Sequence, residues 1–258
     1  MNVHYDADFS RVLPTLILGS SLGADGSMWQ PQRDAFSSDW NVVTFDLRGH
    51  GRSPLSPTPP SIDDFADDVV SVADALGVRT FAYCGLSIGG TIGQSLAARH
   101  PERVDALVLA STGLTILTPD ALHERADRVL AEGMDWIAER SVPRWFTAGY
   151  RAQSPAVVEA KMAVMRTMAP QGYADACRAL AGFDGTRHVG QIAAPTLVIA
   201  GDDDVATPPE GGRTLASLIA GARFELLADA SHLCNLEQPE RFSALLRGHL
   251  AAHAPRLR

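Results

Sequence analysis

The sequence predicts an α/β protein with a mostly parallel, doubly wound sheet and a helical cap. Apolar runs with the length of strands recur along the 258 residues, and turn residues bound each of them. Several runs are apolar without alternation, as in parallel strands that are covered on both faces. Helical patterns separate the runs, and alternating strands and helices predict a doubly wound sheet.

Six segments have the composition of strands. In chain order they are PTLILGS, NVVTFDLRGHG, TFAYCGLS, VDALVLAST, APTLVIAGDDD and RFELLAD. The clearest helix, SIDDFADDVVSVADALG, lies between the second and the third strand. Ser61 and Asp64 match a capping box at its start. Apolar residues from Ile62 to Leu76 share one face, and Gly77 ends the helix.

The strand pattern is interrupted in the middle of the chain. Residues 114–187 contain helical segments such as PDALHERADRVLAEGMDWIAERSV and PAVVEAKMAVMRTMA, and prolines punctuate them. We therefore predict a helical cap over residues 114–187, which lies over the strand ends. Residues 1–113 and 188–258 would form the α/β core.

Composition and charge limit the classes of partner. The net charge is −8 and no run of Lys or Arg occurs, which disfavours nucleic acid as a partner. No apolar run approaches the roughly 20 residues that cross a membrane. The N-terminus, MNVHYDADFS, lacks the pattern of a signal peptide. The odd number of cysteines (Cys84, Cys177 and Cys234) then predicts reduced thiols and a cytoplasmic protein.

The segment CGLSIGG joins the third predicted strand to a small-residue helix. Within it, Gly85 to Gly89 match the G-x-S-x-G pattern of a nucleophile elbow. A tight strand-to-helix turn strains the serine backbone, and the two glycines relieve the crowding around it. The hydroxyl of Ser87 would then stand at the carboxyl edge of the sheet, where ligands of open α/β sheets bind. We predict that Ser87 is a nucleophile.

A serine nucleophile needs a base, and the base needs an acid that orients it. Among the eight histidines, His232 alone lies between the last strand and the last helix, so we predict that it is the base. The acid is expected just after the strand TLVIAG, where Asp202, Asp203 and Asp204 follow one another. Spacing alone leaves these three aspartates open.

Negative charge on the attacked carbonyl oxygen requires backbone N–H donors. Ile88, the residue after the nucleophile, supplies the first donor. We predict that Leu22 supplies the second, because it lies in the loop GSSLGADGSMW after the first long strand.

Five segments together resemble motifs of the α/β-hydrolase superfamily. They are DLRGHGRS, GLSIGG, HPERVDALVLAST, PTLVIAGDDDVATPP and SHLCNLEQPERF, so the resemblance covers nearly the whole chain. In this family the acid follows the glycine after the strand by three positions, and a proline often follows four positions later. Gly201, Asp204 and Pro208 fit this pattern, so the resemblance selects Asp204 as the acid.

A narrower resemblance is to the 3-oxoadipate enol-lactonases of aromatic catabolism (the β-ketoadipate pathway). GSSLGADGSMWQPQ, PRWFTAGY, APQGYADACRAL and HLCNLEQPERF carry it, and the cap motifs among them bear on substrate choice. Two positions depart from the usual pattern. LGSSLG replaces an asparagine-serine pair, and Ile88 stands where methionine is common, but neither change removes a catalytic atom.

The resemblance implies that Ser87 opens a small enol-lactone through an acyl-enzyme, without a metal or a cofactor. The implied substrate, 3-oxoadipate enol-lactone, carries a free carboxylate, and Arg144 and Arg166 are the cap residues expected to bind it. Trp29 and Trp145 are expected to line an apolar pocket. Trp136 is a further candidate that also suits a position between cap helices.

Three other functions stay open. A general carboxylesterase and a carbon–carbon hydrolase of ring-cleavage products would share the triad, and only the cap separates them. A haloalkane dehalogenase is disfavoured because it needs a carboxylate at the position of Ser87. From a different class, the chain could be a slow, receptor-like hydrolase that binds a small ligand.

Overall fold

A seven-stranded sheet lies at the centre of the computed structural model, which describes residues 3–10 and 12–253. The strand order is β1-β3-β2-β4-β5-β6-β7. The β1–β3 pair is antiparallel, and all other pairs are parallel. The strands are β1 (Tyr5–Asp8), β2 (Thr15–Gly19), β3 (Asn41–Phe45), β4 (Phe81–Leu86), β5 (Val104–Ala110), β6 (Thr196–Gly201) and β7 (Arg223–Leu227).

Helices alternate with the strands along the chain. They are α1 (Gln30–Phe36), α2 (Ile62–Ala75), α3 (Ile88–Arg99), α4 (Pro119–Glu132), α5 (Met134–Trp145), α6 (Ala148–Gln153), α7 (Pro155–Arg166), α8 (Pro170–Ala181), α9 (Pro209–Leu218), α10 (Cys234–Glu237) and α11 (Pro239–His253). Every residue of β2, β3, β4 and β6 is buried, as a sheet covered on both sides requires. The predicted α/β class is therefore confirmed.

The predicted start of α2 is confirmed in detail. The Asp64 N–H donates to Ser61 Oγ over 3.2 Å, and the Ser61 N–H donates to Asp64 Oδ2 over 2.8 Å. This reciprocal pair satisfies two N–H groups that the first turn of a helix leaves without partners. Gly77 has a φ of +69°, a conformation that suits glycine after the end of a helix.

The sheet has one strand more than the six that we predicted. The additional strand, β1, has the sequence YDAD and pairs with β3 at the edge of the sheet. An edge strand has one partner and an exposed side, so it needs no continuous apolar run. Its short, half-acidic sequence therefore gave no strand signal.

Five consecutive helices, α4 to α8, fill the chain between β5 and β6. Pro119, Pro155 and Pro170 each occupy the first turn of a helix, where a missing N–H removes no hydrogen bond. Pro143 lies inside α5. These helices fall within the region predicted as the cap, whose division from the core stays a prediction.

The first turn of α8 lies directly against the loop after β3. A Cβ atom on Gly172 would come within 2.5 Å of the Gly49 carbonyl oxygen and 2.7 Å of the Gly49 Cα. Gly49 also has a φ of +74°, which disfavours any residue with a Cβ. Helix α8 and the loop after β3 therefore meet backbone to backbone, with no room for a side chain.

His50, the neighbour of Gly49, is completely buried. Its Nδ1 lies 3.3 Å from the carbonyl oxygen of Arg48, and its Nε2 has no hydrogen-bond partner among the described residues. Burial lowers the pKa of His50 to about 4, and the contact with Arg48 opposes this only in part. The imidazole is therefore neutral in the folded protein at neutral pH.

We expect His50 to make the free energy of unfolding depend on pH. The folded-state pKa is below the unfolded value of 6.5, so the unfolded chain binds the additional proton as the pH falls from 6.5 towards about 4. At pH 5 the loss of stability would be about 2 kcal/mol. Urea denaturation near pH 7 and pH 5 measures it. His50→Gln should reduce the difference between the two values, whereas the exposed control His123→Gln should not; an unchanged difference in His50→Gln would contradict the assignment.

The glycine contact generates a second prediction. Gly172→Ala should lower the free energy of unfolding by roughly 1–3 kcal/mol, because the added methyl forces the two backbones apart. Alanine is otherwise favoured over glycine within a helix. Gly149→Ala in α6 is the matched control, since nothing lies within 4 Å of its added Cβ. Chemical denaturation of both variants is the measurement, and equal stability of the two would show that the contact is not tight.

Candidate active site

Ser87 lies at the sharp turn between β4 and α3. Its φ of 62° and ψ of −119° form a strained conformation for a residue with a side chain. A Cβ on Gly85 would overlap the carbonyl of Gly89, and a Cβ on Gly89 would overlap the carbonyl of Gly19. The Ser87 N–H donates to the carbonyl of Ala110 in β5 over 2.9 Å, which fixes the turn to the sheet. These contacts explain the two glycines that flank the serine.

His232 and Asp204 form a buried pair at the same edge of the sheet. His232 Nδ1 lies 2.9 Å from Asp204 Oδ2. Burial would raise the pKa of Asp204, but the charge and hydrogen bond of His232, with donors from Thr207, outweigh it and hold that pKa below its usual value. A carboxylate held in its charged form can orient the imidazole and stabilise it when it becomes protonated.

The three adjacent aspartates separate clearly in the structure. Asp204 is buried and faces His232, whereas Asp202 and Asp203 are exposed. The N–H groups of Asp202 and Asp203 donate to the carbonyls of Leu227 and Ala230, which extends the contact between β6 and the chain after β7. Of the three aspartates, Asp204 is the one that contacts His232, and its role as the acid stays a prediction.

Thr207 is a residue of the site that the sequence reasoning missed. Its hydroxyl donates to Asp204 Oδ2 over 2.7 Å and also lies 3.2 Å from His232 Nδ1. Its N–H donates to Asp204 Oδ1 over 2.9 Å. The sequence could have indicated it, because a threonine three residues after an aspartate can donate hydrogen bonds to that carboxylate.

The two predicted oxyanion donors lie next to the serine. Ile88 is the first residue of α3, so its N–H has no acceptor within the helix. Leu22 follows β2 and lines the same cavity as Ser87. Among the described residues, neither N–H donates to a protein acceptor. Both remain available to an anionic oxygen, and the helix dipole favours such charge near Ile88; their role stays a prediction.

A cavity of about 190 Å³ lies over Ser87 and His232. Within the described chain, the Ser87 hydroxyl makes no hydrogen bond to the imidazole, as is common before a substrate is bound. The core lines the cavity floor with Ser21, Leu22, Ser87, Ala206, Thr207 and His232. The helices α4, α5 and α8 supply most of the opposite wall, including Leu122, Ile137, Trp145 and Tyr173.

The cavity wall formed by α4 and α5 is strongly basic. Four arginines (Arg125, Arg128, Arg140 and Arg144) line the cavity, against the single acidic residue Glu124. Arg128 is neutralised by Glu132, whose Oε1 lies 2.7 Å from its Nε, and it lies over the ring of Trp136. The other three form no salt bridge within the described part of the chain.

Arg144 is partly buried at the end of α5. Burial lowers its pKa, and the positive charge of Arg125 lowers it further. Both effects disfavour the charged guanidinium, so an anion in the cavity would be stabilised by it strongly. Arg125 is a cavity residue that sequence reasoning missed, because nothing in the pattern of α4 marks which of its arginines points inward.

Two predicted substrate-binding residues lie elsewhere, and these predictions are wrong. Trp29 is fully buried, and its ring centroid lies 5.9 Å from that of Phe242 in α11. Arg166 ends α7 and forms ion pairs with Glu159 and Asp135, at 2.6 Å and 3.7 Å, away from the cavity. By contrast, the predicted Trp145 and Arg144 do line the cavity, as does Trp136.

Other classes of site are not evident in the described residues. No group of three or more metal-ligating side chains comes together in residues 3–10 and 12–253. None of the helices in these ranges combines the length and hydropathy needed to cross a membrane. The three cysteines are free and buried.

Comparison with known proteins places this geometry in a family. Residues 14–148 match the family model of the alpha/beta hydrolase fold. 3-Oxoadipate enol-lactonase 2 of Acinetobacter baylyi is 38% identical over 89% of this chain and 86% of its own length. The crystal structure of the enol-lactonase from Burkholderia xenovorans LB400 is 38% identical, covers 96% of each chain and has a TM-score of 0.93. A thermophilic esterase from Thermogutta terrifontis, 29% identical, covers 97% of this chain and 93% of its own, with a TM-score of 0.90.

The family match, the sheet topology and the similarity over nearly the whole length agree with one another. The chain belongs to the α/β-hydrolase family, and it is a hydrolase of the carboxylic-ester type that is similar to the 3-oxoadipate enol-lactonases.

Proposed function

We propose that this hydrolase opens 3-oxoadipate enol-lactone to 3-oxoadipate in the cytoplasm, as a step of aromatic-compound catabolism. One observation carries the proposal: Ser87 and His232 share a cavity whose opposite wall holds three arginines without carboxylate partners. The lactone offers a carbonyl for the serine and a carboxylate for an arginine. The similarity to the two enol-lactonases supports the same substrate.

Proton transfer in the first half of the reaction follows from the orientation of His232. Because Nδ1 is held by Asp204, the other ring nitrogen, Nε2, is the one left to take the proton of Ser87. The serine oxygen then bonds to the ring carbonyl carbon. The N–H groups of Leu22 and Ile88 stabilise the oxyanion of the tetrahedral intermediate.

Collapse of this intermediate breaks the ring C–O bond. The leaving oxygen takes the proton from His232 as an enol, which becomes a ketone, so departure is easy. A water molecule then attacks the acyl-enzyme, with His232 again acting as the base, and releases the new carboxylate and free Ser87. No redox or metal step is needed to balance the reaction.

Binding of the substrate carboxylate is assigned to Arg144. Its partial burial and its lack of an acidic partner leave the guanidinium unsatisfied until an anion enters. Arg125 lies close enough to influence its pKa and would share the negative charge. Trp145 and Ile137 provide apolar surface for the ring.

A general carboxylesterase is the second candidate, favoured by the similarity to the thermophilic esterase. Such an enzyme would act on neutral esters. A neutral ester carries no negative charge that could pair with the arginines of the cavity. A carbon–carbon hydrolase or a slow, receptor-like hydrolase would use the same Ser87, and turnover separates them from the proposed enzyme.

The first experiment tests substrate and nucleophile together. The purified protein should consume the enol-lactone with a kcat/KM of about 10⁴ M⁻¹s⁻¹ or more, measured as loss of enol-lactone absorbance. Ser87→Ala should lower kcat by at least about 10³-fold, since the attacking oxygen is gone. An unreacted lactone combined with Ser87-dependent cleavage of an aryl ester would instead support the esterase. A single burst without turnover would support the receptor-like hydrolase.

The arginine assignment has its own test. Arg144→Gln should raise KM for the lactone by roughly 10- to 100-fold, because a charge-assisted hydrogen bond to the carboxylate is lost. The same variant should leave KM for a neutral aryl ester nearly unchanged. Arg166→Gln is the matched control, since Arg166 lies outside the cavity. Equal changes with the two substrates would show that Arg144 does not recognise the carboxylate.

A further inference from the structure

A short segment of the cap is hydrogen-bonded to the loop that carries His232. We define the cap segment as residues 144–147 and the histidine loop as residues 231–237. The Ser231 hydroxyl donates to the carbonyl of Arg144 over 3.0 Å. The N–H of Leu233 donates to the carbonyl of Trp145 over 3.1 Å. The residues on both sides of His232 are thus joined to the backbone of two cavity residues.

Glu237 completes this connection from the other end of the histidine loop. Its Oε1 accepts the N–H of Thr147 over 2.8 Å, and its Oε2 accepts the N–H of Ser231 over 3.4 Å. One carboxylate therefore holds the end of the cap segment and the residue before His232 at the same time. Both donors are backbone groups, so the two hydrogen bonds fix the backbone of the cap segment and that of the histidine loop.

Glu237 has no place in the chemistry derived above. It lies outside the cavity over Ser87, in a separate surface cleft beside Asp203 and Tyr150. It is half-buried, and a carboxylate in such a position loses hydration that the two N–H donors must replace. Its contacts point to a role in placing other groups.

We propose that Glu237 is a positioning residue that couples anion binding at the cap segment to the placement of His232. The proposal rests on the proposed use of His232 as the base and of Arg144 as the anion site. An anion that holds Arg144 also restrains the backbone of the cap segment. Through Glu237 and Ser231, that restraint reaches the histidine that must take the proton of Ser87.

This coupling predicts an effect that depends on the charge of the substrate. When the hydrogen bonds of Glu237 are broken, the carboxylate of an anionic substrate still reaches Arg144, so the KM of that substrate changes little. The bonds from Ser231 and Leu233 remain, so the benefit that binding gives to His232 is weakened, and kcat for the anionic substrate falls. Coupling between sites commonly amounts to between about 5- and 150-fold. A purely structural glutamate would change both substrates alike.

The test uses a pair of esters with the same leaving group. 4-Nitrophenyl acetate is neutral, and the 4-nitrophenyl monoester of succinic acid carries one carboxylate. In Glu237→Gln the amide group faces an N–H that needs an acceptor, so one donor loses its partner. We expect kcat for the anionic ester to fall about tenfold. Its KM, and kcat for the neutral ester, should change less than about threefold. Glu240→Gln, the same change at an exposed residue nearby, should alter neither rate.

A second pair of variants breaks the connection from the cap without touching the carboxylate. Thr147 has a φ of −58°, which proline adopts, and the residue before it is extended, as a residue before proline must be. Thr147→Pro removes the N–H that Glu237 accepts. Thr147→Ala keeps that N–H and loses only the hydroxyl that caps α6. The proline variant should reproduce the effect of Glu237→Gln, and the alanine variant should not.

The outcomes distinguish a failure of the coupling from a failure of the proposed function. Equal losses for both esters, or none, in Glu237→Gln and Thr147→Pro would overturn the coupling while the hydrolase function stands. A native protein that shows no preference for the anionic ester and leaves the enol-lactone intact would overturn the proposed function. If Glu237→Gln fails to fold, the comparison of Thr147→Pro with Thr147→Ala decides the inference alone.

Discussion

The strained backbone of Ser87 is the constraint on which the rest of the site depends. A serine with a positive φ is strained, and it keeps this conformation only where the surrounding structure enforces it. Here the carbonyls of Gly19 and Gly89 lie against the positions that side chains would occupy, so β2, the turn and α3 pack through their backbones. The hydroxyl of Tyr83 donates to the carbonyl of Gly89 over 2.9 Å and holds the first turn of α3 in place.

This close packing also places the other groups of the site. Gly19 pairs with Gly85, and Leu86 pairs with Ala110, so neighbouring strands end at the same level. The loop that carries Leu22 therefore starts beside the N-terminus of α3. On the other side of β5, the chain after β6 carries Asp204 and the chain after β7 carries His232. A parallel register thus brings four distant segments of sequence to one edge.

The sequence could predict what depends on this register. The positions of Ser87 and His232 follow from the order of strands, turns and helices, and the family pattern selected Asp204 from three neighbours. The cap was harder to predict. Which side of a helix faces a cavity depends on how the helices pack together, and neither Arg166 nor Arg125 carries a local signal of that packing. Trp29 was misplaced for the same reason, because a large aromatic residue after a loop suits the core as well as a pocket.

The contact between Gly49 and Gly172 bears on how cap and core could change over evolution. The two glycines depend on each other, because a side chain on either residue would push the two backbones apart. A second attachment of the cap, at the histidine loop, consists of hydrogen bonds to backbone groups, which tolerate many side chains. A cap grafted from another member of the family could therefore keep its own sequence along the second attachment. At the first attachment it would have to bring a glycine, and the recipient core would have to supply the matching one.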